Sequence, residues 1–140
     1  MQRILGVDYG DVRTGLALSD ENRFLAGGLY TVSEGGMRAT AKKVAAVAAE
    51  NDVGIIVIGL PKNMDGSEGA SAEKIRAFAA LLSPLTGAGI VFFDERVSTM
   101  AAHKILNLTD TRGQKRKAVV DTLSAEIILQ NYLDLLKNSN

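Results

Sequence analysis

The sequence predicts an α/β protein with a mixed five-stranded sheet flanked by helices, and three observations lead to this fold class. Two short apolar segments near the N-terminus are joined by four residues, Gly10 to Arg13, as in an antiparallel hairpin. After residue 36, β-branched runs alternate with segments of helical periodicity, which indicates parallel strands joined by right-handed crossovers. The chain of 140 residues has no repeat or linker, so we expect a single domain over residues 1–140.

Five strands are predicted where short apolar or β-branched runs stand between turn residues. The first run ends on an acid, Asp8, which is followed closely by Gly10. The run from Val53 to Ile58 is rich in β-branched residues, as is typical of a strand buried on both faces, and Gly59 is expected to end it. The predicted strands cover residues 4–8, 14–19, 28–32, 53–58 and 90–93.

Four helices are predicted from apolar residues that recur every three or four positions. In the second of these helices, Ile75, Phe78 and Leu82 share one face. Ser98 is a suitable N-cap for the third helix. The predicted helices cover residues 37–51, 70–82, 99–108 and 118–136, and residues 112–117 are expected to form a basic loop.

Composition excludes several classes of site. The chain has no cysteine, which excludes disulfides and thiolate zinc centres and fits a reducing cytoplasm. No secretory signal is visible, and the longest aliphatic run, Gly54 to Leu60, is too short to span a bilayer. The formal net charge is zero, so a nucleic-acid partner requires a local basic patch.

Acidic residues follow two of the predicted parallel strands. Asp8 ends the first strand, and Asp94 and Glu95 follow the strand of residues 90–93. In open α/β sheets, ligands bind beyond the carboxyl ends of the strands, so these acids are candidates for a site. The alternative for Asp8 is a turn cap, a common structural use of aspartate.

A third acid, Asp121, stands near the start of the last predicted helix. Asp121, Ala125, Ile128 and Tyr132 share a face of that helix, so the acid begins an otherwise apolar stripe. The alternative is a first-turn acid favoured by the helix dipole.

Three converging carboxylates would need protons or a cation, because two of them about 4 Å apart repel by roughly 4 kcal/mol at an effective dielectric of 20. Hard oxygen ligands favour Mg²⁺ or Mn²⁺, and carboxylate-held pairs of such ions hydrolyse phosphodiesters. Asp8, Asp121 and one or both of Asp94 and Glu95 therefore predict metal-dependent phosphoryl chemistry.

Four motifs together resemble the YqgF/RuvX family over nearly the whole chain. The resemblance implies an RNase H-like fold related to Holliday junction resolvases, and a nuclease that processes the 5′ end of precursor 16S rRNA in the bacterial cytoplasm. It also implies that Asp8, Glu95 (or Asp94) and Asp121 are the catalytic acids. The motifs are Asp8-Tyr9-Gly10 with Arg13 and Gly15, the segment 59–69, the segment 94–99, and Val120-Asp121 with Ala125.

The position of the second acid departs from the wider RNase H pattern, in which it usually lies on the fourth strand beside the first acid. Here the fourth predicted strand ends in Gly59, and the acids follow the fifth. Neighbouring strands lie about 4.8 Å apart, so Glu95 starts nearly two strand spacings from Asp8. The long glutamate side chain could cover only part of that gap.

Basic and polar residues near the acids are candidate phosphate contacts, with a solvated surface or mobile loop as the alternative. Together with the resemblance, they imply a nucleic-acid partner, structured RNA or branched DNA, and association with ribosomal precursor particles. We expect a monomer or a homodimer. The candidates are Arg13, Lys62, Asn63, Arg96, Lys115, Arg116 and Lys117.

Two other functions compete with a nuclease. One is a non-catalytic nucleic-acid-binding or ribosome-maturation factor that keeps the fold without cutting. The other is a phosphate-binding domain like those of sugar kinases and actin, which also begin with Asp-x-Gly. The second is disfavoured because such proteins need two of these domains around a cleft, and 140 residues supply one.

Overall fold

A mixed sheet of five strands lies between helices in the computed structural model. The structure describes residues 2–96 and 114–138, with the side chains of residues 114–121 outside the described part. The strands are β1 (Arg3–Asp8), β2 (Thr14–Ser19), β3 (Ala26–Val32), β4 (Val53–Leu60) and β5 (Gly89–Asp94). The helices are α1 (Met37–Glu50), α2 (Ala70–Leu82) and α3 (Gln114–Asn138), and a short 3₁₀ turn spans Ser83–Leu85.

The strand order is β3-β2-β1-β4-β5, with β1 at the centre. Strand β1 pairs antiparallel with β2 and parallel with β4, and β4 pairs parallel with β5. This arrangement confirms the predicted mixed sheet, including the antiparallel hairpin at the start of the chain. Because β1, β4 and β5 run in the same direction, their last residues meet at one edge, which we call the carboxyl edge.

Helices cover both faces of the sheet. Strand alternation sends Leu5 and Val7 of β1 into the core that includes α1 and α2, whereas Ile4 packs in the core formed with α3. Strand β4 is covered on both sides, which explains its nearly continuous run of apolar residues. The face on which a strand residue lies therefore decides which helix it meets.

Helix α3 lies unusually close to the central strand at Gly6. A Cβ atom at this position would lie 2.7 Å from the Cβ of Leu129 and 2.9 Å from the carbonyl oxygen of Ala125. Only glycine leaves room for this approach, since real Cβ contacts are essentially never shorter than 3.0 Å. The close packing brings the α3 side chains down to the level of the carboxyl edge.

Two predicted boundaries were wrong. Helix α3 begins at Gln114, so Lys115, Arg116 and Lys117 lie in its first turns rather than in a loop. Lysine, arginine and glutamine are good helix formers, and a search for apolar periodicity misses a polar first turn. Strand β4 also continues through Gly59, because Gly59 pairs with Phe93 on β5.

The predicted helix over residues 99–108 lies outside the described residues. Within residues 2–96 and 114–138, no helix combines the length and apolar character needed to cross a membrane.

Gln130 ties helix α3 to the turn between β2 and β3. Its side chain is only 3% exposed. The amide group donates to the carbonyl oxygen of Phe24 at 3.0 Å, and its oxygen accepts from the backbone N–H of Ala26 at 2.9 Å. The amide also donates to Asp134 one turn later on the helix, at 3.0 Å. A single buried amide therefore satisfies backbone groups on one element and a side chain on another.

We expect Gln130→Leu to lower the free energy of unfolding by about 1–3 kcal/mol, because leucine leaves the Ala26 N–H without its partner. Urea denaturation measures the change. Gln2→Leu serves as the control, since Gln2 is exposed and its side chain makes, in the described contacts, a single long hydrogen bond of 3.4 Å to Asp52. Equal stability of the two variants would show that the Gln130 bridge is not a net stabilising contact.

Candidate active site

The candidate acids lie at the carboxyl edge on the face covered by α3. Asp8 is the last residue of β1 and lies two positions after Gly6, where a Cβ atom would point at α3. Phe93 of β5 packs in the core formed with α3, and Glu95 lies two positions after it. Because strand side chains alternate between faces, Asp8 and Glu95 share a face of the sheet and Asp94 points to the other.

Asp8 and Glu95 line one cavity of about 200 Å³. The helix contributes Ser124, Ile128 and Asn131 to the opposite wall. The cavity is therefore bounded by two carboxylates from different strands, two polar side chains from α3 and an apolar floor. Its remaining lining residues are Phe93 and Ile127.

Glu95 reaches towards Asp8 across the end of β4, and Gly59 makes this possible. The register continues so that Gly59 lies between Asp8 on β1 and Phe93 on β5. A Cβ atom on residue 59 would lie 2.6 Å from Oε1 of Glu95 and 2.5 Å from Cδ1 of Ile128. The carboxylate of Glu95 thus occupies space that any other residue at position 59 would fill. This explains how an acid on β5 covers the gap expected from the sequence.

The pKa of Glu95 is raised above its usual value, first by partial burial and then by the negative charges of Asp8 and Asp94. Glu95 is exposed as a residue, but its carboxylate lies against Gly59, which removes water from one side. The charge of Asp8 acts on Glu95 through the shared cavity. Ionisation of Glu95 is therefore disfavoured beside Asp8, and a proton or a bound cation would reduce that repulsion.

Asp94 has a different environment. The two oxygens of its carboxylate share the Nε–H of Arg96 at 3.0 and 3.1 Å, and one of them also accepts from Nη2 at 2.7 Å. The Arg96 backbone N–H donates to the carboxylate as well, at 3.0 Å. These bonds hold the pKa of Asp94 down at about 2. Asp94 is thus a structural partner of Arg96, and of the two adjacent acids only Glu95 lines the cavity with Asp8.

Asp121 lies on helix α3, three residues before Ser124, which lines the cavity. Its side chain is outside the described part of the structure. Among the described side chains, no three acids or histidines are grouped closely enough to hold a metal ion. The predicted convergence of all three acids therefore remains a prediction, with Asp8 and Glu95 brought together.

Sequence analysis missed the polar residues of the α3 wall. The residues Asp121, Ser124, Ile128 and Asn131 follow one another at three, four and three positions, which is a helical stripe. The stripe considered from the sequence was its neighbour, which contains Ala125 and Tyr132 and packs on the sheet. Polar residues at helical spacing from Asp121 were the signal that could have identified Ser124 and Asn131.

The predicted phosphate-contact residues have different surroundings. Arg13 is exposed in the loop that follows Asp8, and Lys62 is half-buried after β4. The side-chain amide of Asn63 donates to the Ser67 hydroxyl at 2.9 Å and so shapes its own loop. Arg96 is engaged by Asp94 and by loop carbonyls. Lys115, Arg116 and Lys117 begin the helix that carries Asp121.

The cavity meets the chemical requirements of a divalent cation. Asp8 and Glu95 provide oxygen ligands, the kind that Mg²⁺ and Mn²⁺ prefer, and the raised pKa of Glu95 shows that its negative charge is disfavoured beside Asp8. The polar wall formed by Ser124 and Asn131 suits the water molecules that Mg²⁺ usually retains.

We expect Gly59→Ala to lower the free energy of unfolding by about 1–3 kcal/mol, because the new methyl group overpacks the buried Ile128 side chain. It should also displace the flexible Glu95 side chain from Asp8, so that the pKa of Glu95 falls towards its usual value. Chemical denaturation and carboxyl-carbon NMR titration measure these effects. The control is Gly87→Ala, since nothing lies within 4 Å of a Cβ there. If the pKa of Glu95 were the same in Gly59→Ala as in the unmutated protein, the crossing of Glu95 over β4 would be contradicted.

Comparison with known proteins extends over nearly the whole chain. Residues 2–135 match the RuvX family, described as Holliday junction resolvase. The chain is 44% identical over 137 residues to a protein of Clostridioides difficile (strain 630) named "Putative pre-16S rRNA nuclease", covering 98% of this chain and 97% of the relative. It is 43% identical over 135 residues to a protein of the same name from Ruegeria pomeroyi, covering 96% and 88% of the two chains.

Among solved structures, T. thermophilus RuvC in complex with Holliday junction substrate aligns with a TM-score of 0.60 at 12% identity, over 99% of this chain and 98% of that chain. This likeness confirms the predicted RNase H-like fold. The sequence matches confirm the predicted resemblance and the enzyme class that it implies, a nuclease and hence a hydrolase acting on ester bonds. The chain therefore belongs to the RuvX family.

Proposed function

We propose that this protein is a divalent-metal-dependent nuclease that hydrolyses phosphodiester bonds at the 5′ end of precursor 16S rRNA. The observation that carries the proposal is the pair of carboxylates, Asp8 and Glu95, in one cavity at the carboxyl edge. Such a pair of oxygen ligands beside a polar helix wall is suited to bind Mg²⁺ or Mn²⁺. Asp121, from the helix that forms that wall, is the third acid of the proposed site.

In this mechanism the chain's own residues have distinct roles. Asp8 is held by the end of the central strand, which fixes the position of its carboxylate. Glu95 adds a second carboxylate from β5, and its partial burial excludes water from one side of the site. When bound, the cation would activate a water molecule and neutralise charge that develops on the phosphate. Ser124 offers a hydroxyl to a phosphate oxygen or an ordered water in the same cavity.

Substrate phosphates would be held by a local basic surface, since the chain has zero net charge. Lys115, Arg116 and Lys117 supply three cations at the positive end of the α3 dipole, where cations weaken a helix. A role in phosphate binding accounts for this costly placement. Arg13 and Lys62, in loops at the carboxyl edge, would extend the surface.

The choice of precursor 16S rRNA follows the names of relatives that are more than 40% identical over nearly their full length. Action on that substrate implies the bacterial cytoplasm and contact with ribosomal precursor particles. Residues 1–140 would act as a single nuclease domain, as a monomer or a homodimer.

Branched DNA is the second candidate substrate, because the family is described as Holliday junction resolvase.

A cleavage assay with two substrates tests the proposal. Precursor 16S rRNA and a four-way DNA junction are offered side by side with Mg²⁺, Mn²⁺ or a chelator. We expect cleavage of the rRNA near its mature 5′ end, and loss of that cleavage on chelation. Cutting only of the junction would transfer the proposal to a DNA resolvase. Tight binding without cutting of either substrate would indicate a non-catalytic maturation factor.

We expect Asp8→Asn to reduce cleavage by at least about 100-fold, more than the loss of a typical outer-shell partner. It should also weaken Mn²⁺ binding measured by calorimetry, while the melting temperature holds or rises as repulsion of Glu95 is relieved. Asp11→Asn is the matched control, since Asp11 is exposed and pairs only with Lys74, at 2.8 Å, in the described contacts. Wild-type cleavage and Mn²⁺ affinity in Asp8→Asn would refute the catalytic assignment.

The same assay decides between the two adjacent acids. Glu95→Gln should lose cleavage and Mn²⁺ affinity as Asp8→Asn does. Asp94→Asn should retain Mn²⁺ affinity, because Asp94 lies on the other face and is bound to Arg96. The reverse pattern would make Asp94 the second catalytic acid.

We expect replacement of Lys115, Arg116 and Lys117 by alanine to flatten the plot of log affinity against log salt by up to about two units. Each phosphate contact contributes about 0.7 to the slope on single strands and about 0.9 on duplex. Fluorescence anisotropy at several salt concentrations measures the slope. The control removes the same charge from α1, on the other face of the sheet, through Ala at Arg38, Lys42 and Lys43. Equal slopes for the two triple variants would show that the run at the start of α3 contacts no phosphate.

A further inference from the structure

The loop between β4 and α2, residues 61–69, presents a fully exposed apolar side chain and is bonded through its backbone to Arg96, the residue after Glu95. Met64 is 98% exposed, more than any other large hydrophobic residue in the described ranges. Isolated exposed apolar residues are common on protein surfaces and usually need no explanation. Met64 differs because the loop around it is tightly ordered and is attached next to Glu95.

The loop is ordered by its own polar groups. The backbone N–H of Asn63 donates to the carbonyl of Ser67 at 2.8 Å, and that of Gly66 donates back to the carbonyl of Asn63 at 2.9 Å. The Ser67 hydroxyl and backbone N–H donate to Asp65 at 2.6 and 2.9 Å. The side chain of Met64 takes no part in these bonds, so it is not needed to shape the loop.

Two arginines attach the loop to the rest of the fold. Arg96 donates to the carbonyl oxygens of Asn63 and Met64 at 3.4 Å, while its other nitrogens hold Asp94. At the far end, Arg76 of α2 donates twice to Glu68, at 2.6 and 2.8 Å. Arg96 directly follows Glu95 and bonds to the carbonyl of Met64, so a single residue connects the loop to the candidate site.

This surface complements the charged contacts that a nucleic acid requires. In the proposed site the carboxylates bind cations and the basic residues bind phosphates, but bases are held by apolar contact or stacking. Methionine is among the apolar residues that insert between base steps, and its flexible thioether packs well against aromatic rings. Such a contact does not depend on which base is present.

We propose that Met64 is a nucleobase-binding residue that packs against an unstacked base next to the cleaved phosphate and so positions the strand over Asp8 and Glu95. This inference rests on the proposed nuclease function and adds a base contact to it. The ligand class is an unpaired base of the substrate strand, or one that can leave its stack. A protein surface is the competing occupant, and the experiment separates the two.

The test uses oligonucleotides that carry 2-aminopurine at single positions on either side of the cleavage point, since this base becomes more fluorescent when it leaves its stack. Binding is measured in the Asp8→Asn background, so that the substrate stays intact. We expect the wild-type loop to raise the fluorescence at one or two positions. Met64→Ala should abolish that local change and weaken binding about tenfold, with an unchanged salt slope.

Two further variants complete the design. Met64→Leu keeps an apolar side chain and should retain most of the signal. Val12→Ala is the matched control, since Val12 is 76% exposed in the neighbouring β1–β2 loop, and it should bind like the parent. Melting temperatures should be unchanged in all three variants, because each side chain is exposed.

The failure of this inference differs from the failure of the proposed function. If the unmutated protein cleaves, but adding Met64→Ala to the Asp8→Asn variant changes neither binding nor fluorescence, Met64 contacts no base and the nuclease proposal stands. A uniform loss of affinity with no local fluorescence change would also overturn the base contact. If the unmutated protein neither binds nor cleaves nucleic acid, the proposed function itself fails. Unaltered binding of RNA combined with loss of binding to precursor particles would assign Met64 to a protein surface.

Discussion

The close packing of helix α3 on the sheet is the constraint on which the candidate site depends. At Gly6 a side chain would collide with the α3 backbone, and at Gly59 it would collide with Ile128 and with the carboxylate of Glu95. Glycine at both positions gives up side-chain packing and increases the entropy lost on folding. In return the helix lies low enough for Ser124 and Asn131 to form a wall opposite Asp8.

The two neighbouring acids at the carboxyl edge, Asp94 and Glu95, differ in the charges that surround them. Asp94 is neutralised by Arg96, which is then used to hold the loop of residues 61–69. Glu95 faces a negatively charged neighbour and has a raised pKa. An acid that is already paired with an arginine is a poor candidate for binding a cation, whereas a partly buried acid beside another acid is a strong one. The two carboxylates have opposite environments because Glu95 lines the cavity with Asp8, whereas Asp94 is bonded to Arg96.

The sequence was most informative where periodicity and burial coincide. The strands of the sheet, α1, α2 and the position of Asp8 followed from apolar runs and from an acid at a strand end. The start of α3 was missed because its first turn is polar and carries no periodic apolar signal. The route of Glu95 over Gly59 depends on strand order and register, which connect residues far apart in the chain. Such information is absent from local patterns, so the sequence could reveal the gap between the acids but not how it is closed.

The position of the second acid just after β5 has a further physical consequence. A carboxylate at the end of β4 would lie on the strand next to Asp8. Glu95 instead crosses a whole strand and immediately precedes Arg96, which bonds to the carbonyls of Asn63 and Met64. The position of the acid is thereby coupled to that of the loop through one arginine. Under the proposed function, a nucleic-acid strand that presses on the loop would act on Glu95 through this arginine. Sites built this way gain coupling at the expense of rigidity, because each link must be held by packing, and here that packing is supplied by Gly59 and the buried Ile128 of α3.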